Sequence, residues 1–171
     1  MTNVEVKTAG EKGDGLFAAQ KIPKGQIVFI ATGAIKTVRF VGDDCYLYPD
    51  WYMVTDSVWV DFQMPFIKAN HSCDPNCGIY DSRLFIALRD IAVGDELTFD
   101  YSLTDDETDW VMGPTDCKCG AKDCRVSISS IHTVPPEHIA RSYPYIMPYF
   151  LELWCQHNPK EVDSIVNKDS S

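Results

Sequence analysis

A chain of 171 residues that is 45% hydrophobic and 12% aromatic can bury one core without disulfides, so a single compact unit is expected. It has no run of 18 apolar residues, and its first seven residues lack both the basic start and the apolar stretch of a secretory signal. The expectation is therefore an intracellular protein, nuclear or cytoplasmic, without a membrane partner. A net charge of −10 disfavours a nucleic-acid surface, which would need clustered Lys and Arg, and suits a basic polypeptide partner.

The charge is unevenly placed. Residues 1–40 carry six basic and three acidic side chains, whereas Asp95 to Asp116 hold eight carboxylates and no Lys or Arg. Asp105, Asp106, Glu107 and Asp109 each read singly as solvated loop residues, but their summed field attracts a basic peptide.

Residues 3–8 alternate as a short strand. Gly13 and Gly15 then allow the backbone to turn or to pass close to a ligand, without the third glycine and helix of a dinucleotide fingerprint. Residues 16–19, a Pro23-Lys24-Gly25 turn and residues 26–31 read as strand, turn and buried strand, with 34–41 a further strand. Gly42-Asp43-Asp44 turns the chain, and Tyr46 and Tyr48 share one face. Residues 51–54 and 58–61 form a hairpin around Thr55-Asp56-Ser57, and residues 62–69 supply a single helical turn.

The next stretch, Asn70-His71-Ser72-Cys73-Asp74-Pro75-Asn76, holds seven consecutive polar, turn-forming or ligand-capable residues. Asp74-Pro75-Asn76 reads as a tight turn with His71 and Cys73 on either side, because Asn and Asp bond their own backbone and Pro fixes φ. Taken alone it is equally an ordinary Asx turn. Residues 77–80 and 83–88 then bracket Asp81-Ser82 as a second hairpin. Glu96 to Tyr101 alternates as a strand with Leu97, Phe99 and Tyr101 on one face, which is a core or a pocket containing a phenol. A soft boundary falls near Gly113-Pro114.

Seven cysteines in such a chain point to thiols or a metal rather than a disulfide scaffold. Cys117, Cys119 and Cys124 crowd three soft ligands into eight residues, with Gly120 to bend the loop between them. Structural zinc needs a fourth ligand, and spacing leaves Cys73, Cys77, His71, Cys45 and Cys155 all open. Farther on, Ile146, Met147, Phe150, Leu151, Trp154 and Cys155 fall at helical spacing, with Pro144 and Pro148 limiting where that helix begins. It reads as an amphipathic helix packed on the β portion, and residues 159–171 as a frayed tail.

Four segments in this order, Gly13-x-Gly15, Asn70 to Asn76, Glu96 to Tyr101 and the Cys-x-Cys-x4-Cys at 117–124, together resemble the SET-domain protein lysine methyltransferases with a post-SET zinc segment. The resemblance spans about residues 8–128. It implies a mainly β fold with short helices, a β-clip-like arrangement of small sheets in which residues 70–76 and the strand ending at Tyr101 form a pseudoknot. The division it implies is a SET domain at 1–112, a post-SET zinc segment at 113–130 and a C-terminal helical extension and tail at 131–171. S-adenosylmethionine would enter one face of a channel and a substrate lysine the other.

By position, the resemblance assigns the cofactor to the backbone near Gly13 and Gly15 and to Asn70 and His71, with Tyr101 as the active-site phenol bordering it. Tyr46 looks like a second tyrosine of the lysine channel, and Phe99 like the residue that limits how many methyl groups fit. Cys73 would join Cys117, Cys119 and Cys124 around a structural zinc. The chain departs from the family where Ile67-Lys68-Ala69 replaces the usual Arg-Phe, so a cofactor contact would be either lost or taken over by Lys68. Ala31-Thr32-Gly33-Ala34 also replaces Tyr-x-Gly-Glu, and Val126 stands where a glycine usually follows the Cys-Arg pair.

The resulting expectation is methyl transfer to lysine in a basic protein, histone or other. The competing reading is a catalytically inactive, zinc-stabilised peptide-binding module. A hydrolase built on Cys73 is disfavoured because zinc would consume its thiol.

Overall fold

Short apolar segments punctuated by Gly, Pro and Asp turns cannot build one broad sheet. The computed structural model, which describes residues 4–38, 51–106 and 115–166, arranges them as small ones. β1 (Val4–Thr8) pairs antiparallel with β2 (Asp14–Ala18) across a 3-10 turn at Gly10–Lys12. β3 (Ile27–Ile30) and β4 (Ile35–Thr37) begin two three-stranded sheets. The hairpin of β5 (Trp51–Thr55) and β6 (Val58–Asp61) joins β4 in the order β4-β6-β5.

After β7 (Asn70–His71), the second hairpin, β8 (Cys77–Tyr80) and β9 (Leu84–Ala87), joins β3 in the order β3-β9-β8. β10 (Thr98–Phe99) pairs parallel with β7, and β11 (Thr115–Asp116) antiparallel with β12 (Ser127–Ile128). The architecture is mainly β with short helices, as the sequence implies.

Inward-facing aromatic rings from these sheets meet in one core. Phe29 stacks on Phe85 at 4.3 Å and on Phe66 at 4.8 Å, Phe62 lies 5.9 Å from Phe85, and Phe99 meets Phe85 edge-on at 5.3 Å. Such pairs add about 0.5–1.5 kcal/mol each beyond their burial. They also set a rigid floor under the β7–β10 pair.

The end of the chain closes over this floor. α1 (Pro136–Ser142), α2 (Pro148–His157) and α3 (Val162–Val166) replace the one helix and frayed tail expected from spacing. Pro136 and Pro148 sit in the first turns of α1 and α2, where a missing N–H costs nothing and φ is already helical. Ile165 of α3 is buried, which holds the first part of the supposed tail. Trp154 is fully buried, and its Nε1–H donates to the Val134 carbonyl at 2.8 Å. The loop between α1 and α2 lies tightly on β8: the Ile79 N–H donates to Tyr145 O at 2.9 Å, and a Cβ on Gly78 would come within 2.6 Å of Tyr145.

Two other expectations shorten. Within the described residues β4 ends at Thr37, and of the strand expected over 96–101 Thr98 and Phe99 form β10 while Glu96 makes an isolated antiparallel bridge to Phe17. Tyr101 instead opens a 3-10 turn (Tyr101–Thr104), because the Asp100 carboxylate accepts the Ser102 N–H at 3.1 Å and caps it. Among the described residues no helix is long and apolar enough to cross a membrane.

Candidate active site and thiol cluster

The heptapeptide at 70–76 is a buried junction rather than a surface turn. Asn70 and His71 lie in register with Thr98 and Phe99, and the Ser72 N–H continues the ladder to Phe99 O at 3.1 Å. Asn76 locks the crossing from its other end: its Oδ1 accepts the Thr98 N–H at 2.9 Å and its Nδ2 donates to Glu96 O at 2.8 Å. One amide side chain thus replaces two backbone partners that so short a parallel ladder cannot supply. His71, Ser72, Cys73 and Asn76 are all buried, and Asp74 alone of the polar residues is exposed.

Tyr101 stands where this junction meets the aromatic floor. Its hydroxyl donates to Ala69 O at 2.9 Å, and its ring lies 4.8 Å from Phe99 and 5.4 Å from the imidazole of His71. Burial, with a smaller contribution from the Glu96 carboxylate, pushes the phenol up to about 12, so it is neutral at physiological pH. Its proton is committed to Ala69, which leaves the oxygen lone pairs as acceptors. Tyr46 lies outside the described residues.

On the other side of β7 the side chains are polar. Asn70 Nδ2 donates to Glu96 Oε1 at 2.8 Å and to Asp14 O at 3.1 Å, Lys12 pairs with Glu96, and Lys68 Nζ lies 3.3 Å from Asp14 Oδ2. Gly13 takes φ +81° with nothing within 4 Å of the position a Cβ would occupy. A Cβ at Gly15 would meet Ala9 and Glu96 at 2.9 Å. Gly13 is therefore required by conformation and Gly15 by space. Two ammonium groups, an amide and two carboxylates, Glu96 and Asp14, share one rim, a set of both signs that could engage a zwitterionic amino-acid group such as the methionine end of S-adenosylmethionine. The structure brings Gly13, Gly15, Lys68 and Asn70 together at this rim, while the His71 imidazole turns away from it.

That imidazole faces the thiols. His71 Nδ1 accepts the Tyr101 N–H at 3.2 Å, which leaves the ring proton on Nε2, 3.3 Å from Cys73 Sγ. Burial holds His71 down at about 4, so it is neutral and donates to the sulfur. Cys73 and Cys117 Sγ are 3.7 Å apart, and ligand atoms of His71, Cys73, Cys117 and Cys119 all lie within 4.8 Å of one another. The thiol of Cys124 contacts those of Cys117 and Cys119. Burial pushes Cys73 up to about 11. Cys119 feels the same burial, but the N–H groups of Cys73 and Ala121 and the neighbouring thiols outweigh it and bring it down to about 7.

Soft thiols at this spacing could hold a zinc-like cation. With its proton on Nε2, His71 serves as a donor to Cys73 better than as a ligand. The other candidates fall elsewhere: Cys77 is sealed against Asn76, Cys155 lies in α2, and Cys45 is outside the described residues.

Several residues were not legible as parts of the site. Glu96 and Lys12 form its polar rim. Asp100 and Arg125 form a buried ion pair beneath Tyr101, and His138 donates through Nδ1 to Cys73 O at 2.9 Å. The available signals were an acidic residue between two aromatics, Phe99-Asp100-Tyr101, and an Arg directly after the third clustered cysteine.

The SET domain family matches residues 13–102, just over half of the chain. Histone-lysine N-methyltransferase 2B of Homo sapiens is 33% identical over 132 residues, covering 66% of this chain and 5% of its own length. Histone-lysine N-methyltransferase SUV39H1-A of Danio rerio is 32% identical over 161 residues, covering 70% and 39% respectively. The probable histone-lysine N-methyltransferase set-23 of Caenorhabditis briggsae is 27% identical over 144 residues, covering 71% and 58%. The chain therefore spans less than two thirds of the length of each of these relatives. The matched region runs from the glycine pair to the turn beyond Tyr101, the same residues that the β7–β10 crossing gathers, and the chain belongs to the SET domain family.

Proposed function

We propose that this chain transfers methyl groups from S-adenosylmethionine to the side-chain amine of lysine in a basic protein substrate, with a histone tail as the first candidate. The observation that carries the reading is Tyr101, a half-buried neutral phenol fixed between an aromatic floor and a rim suited to an amino acid. The names of the relatives support the lysine substrate, and the carboxylates between Asp95 and Asp116 other than the ion-paired Glu96 and Asp100 support a basic one.

S-adenosylmethionine, when bound, supplies an electrophilic methyl group on a sulfonium. Lys68 would offer a donor to its carboxylate, Glu96 and the amide oxygen of Asn70 would accept from its ammonium, and the open space beside Gly13 would admit the nucleoside. Free lysine has a pKa of about 10.4 and arrives charged, so the site must favour the neutral amine. The rings of Phe99 and Tyr101 raise the cost of the ammonium, and the lone pairs of Tyr101 orient the remaining N–H bonds toward in-line attack. Tyr46 is the second channel tyrosine in this reading, and Phe99 limits the number of methyl groups. Cys73, Cys117, Cys119 and Cys124 hold a structural zinc, with His71 tuning Cys73.

Transfer of labelled methyl groups to a panel of basic peptides and proteins tests the proposal. Incorporation into lysine, lost in Tyr101→Phe, is expected. A zinc-loaded chain that neither binds S-adenosylmethionine nor transfers its methyl group overturns it, and peptide binding without transfer would make the chain a binding module.

A further inference from the structure

Asp100 is 3% exposed although it is charged and lies between two residues of the aromatic floor. Arg125 engages it with both ends of its guanidinium, Nη1 to Oδ2 at 2.5 Å and Nη2 to Oδ1 at 2.6 Å, and Nη2 also reaches Ser102 Oγ at 3.0 Å. The two-point fork fixes the plane of the carboxylate as well as its place. That carboxylate accepts the Ser102 N–H and stands 3.5 Å from His71 Nδ1, which itself receives the Tyr101 N–H. Arg125 is anchored in turn through its own N–H, which donates to Cys73 Sγ at 3.4 Å.

A continuous set of short contacts therefore runs from the cysteine segment through Arg125 and Asp100 to the backbone that carries the phenol. A buried ion pair is seldom more stabilising than an apolar pair of the same volume, so stability alone does not explain it. Lys would supply the charge but not the fork.

We infer that Arg125 is a positioning residue for the reaction: by clamping Asp100, whose carboxylate caps the turn at the Ser102 N–H, it fixes the Tyr101–Ser102 backbone, making the aim of the phenol depend on a docked cysteine segment. The inference rests on the functional reading above.

The test uses the full zinc-loaded chain with Arg125→Gln and Arg125→Lys, comparing amide hydrogen exchange by NMR, zinc content and steady-state kinetics. Because loss of a charge-assisted hydrogen bond is read locally, the Tyr101 and Ser102 amides should exchange about tenfold faster in Arg125→Gln. The Leu97 amide, bonded to Leu16 O at 2.7 Å, and the zinc content should stay as in the unmodified chain. The value of kcat should fall by about tenfold with little change in peptide KM, and Arg125→Lys should recover only a small part of it.

If an unpaired Asp100 prevents folding, Asp100→Asn combined with Arg125→Gln removes both charges and is judged on the same amides. Unchanged exchange at Tyr101 and Ser102, or acceleration spread evenly over core amides together with zinc loss, overturns the inference. If the unmodified chain transfers no methyl group, the functional reading falls, and the exchange pattern still decides this one.

Discussion

Replacing Tyr101 by Phe removes one oxygen and leaves the ring, so its effects on stability and turnover separate. The hydroxyl makes a single 2.9 Å hydrogen bond to Ala69 O, whose loss costs about 1 kcal/mol near neutral pH. The same phenol titrates at about 12 in the folded chain, against about 10 when solvated. Between those values the folded state keeps a proton that the unfolded state releases, so stability falls as pH rises. Two pH units at about 1.36 kcal/mol each set the limit near 2.7 kcal/mol. The Phe variant lacks that dependence.

Urea unfolding at pH 8 should thus show the unmodified chain more stable by about 1 kcal/mol, with the difference vanishing and then reversing near pH 11. The other buried tyrosines titrate identically in both proteins and cancel. Turnover, measured at saturating peptide and methyl donor, should drop by about 10²–10³, as for loss of one aimed polar group in an active site. A pH-independent stability difference would mean that the phenol is solvated. An unchanged kcat would remove Tyr101 from the chemistry.

Phe99→Tyr puts a hydroxyl into the space next to the Tyr101 ring, and mass spectrometry of the product should show fewer methyl groups per lysine; an identical distribution would contradict the pocket assignment. Cys73→Ser should lower bound zinc, measured per chain by a chromophoric chelator, well below the unmodified level, and full retention would exclude Cys73 as a ligand. Val126 holds φ +69° with a side chain 71% exposed, and the left-handed region costs a side-chain-bearing residue about 1–2 kcal/mol. Val126→Gly should therefore stabilise the zinc-loaded chain in a urea melt by about 0.5–1 kcal/mol after the added chain entropy of glycine; a loss of stability would refute the strain.

The hairpins at β5–β6 and β8–β9 were legible because alternating apolar residues and turn chemistry are local properties. So was the importance of residues 70–76, where seven polar or turn-forming side chains in a row have no ordinary place in a core. Periodicity misled at Thr98 and Asp100. Alternation assigns both to an outer face, but Thr98 is covered by the parallel crossing and Asp100 by an arginine 25 residues farther along. The Glu96–Lys12 pair and the His138–Cys73 contact are likewise products of topology. Val126 is the converse case: its sequence position stood out as a missing glycine, and the backbone supplies the reason in its positive φ.

His138 and Tyr145 belong to the last stretch of the chain yet hold Cys73 O and the edge of β8 at the centre of the site. During vectorial synthesis the crossing at β7 and β10 is therefore translated well before the segment that braces it. The nascent chain passes through an interval in which all the clustered thiols have left the ribosome while their cover has not. In that interval they are open to oxidants and competing metals, so the yield of correctly loaded protein should follow the reducing conditions and zinc supply at the time of synthesis more closely than the stability of the finished fold.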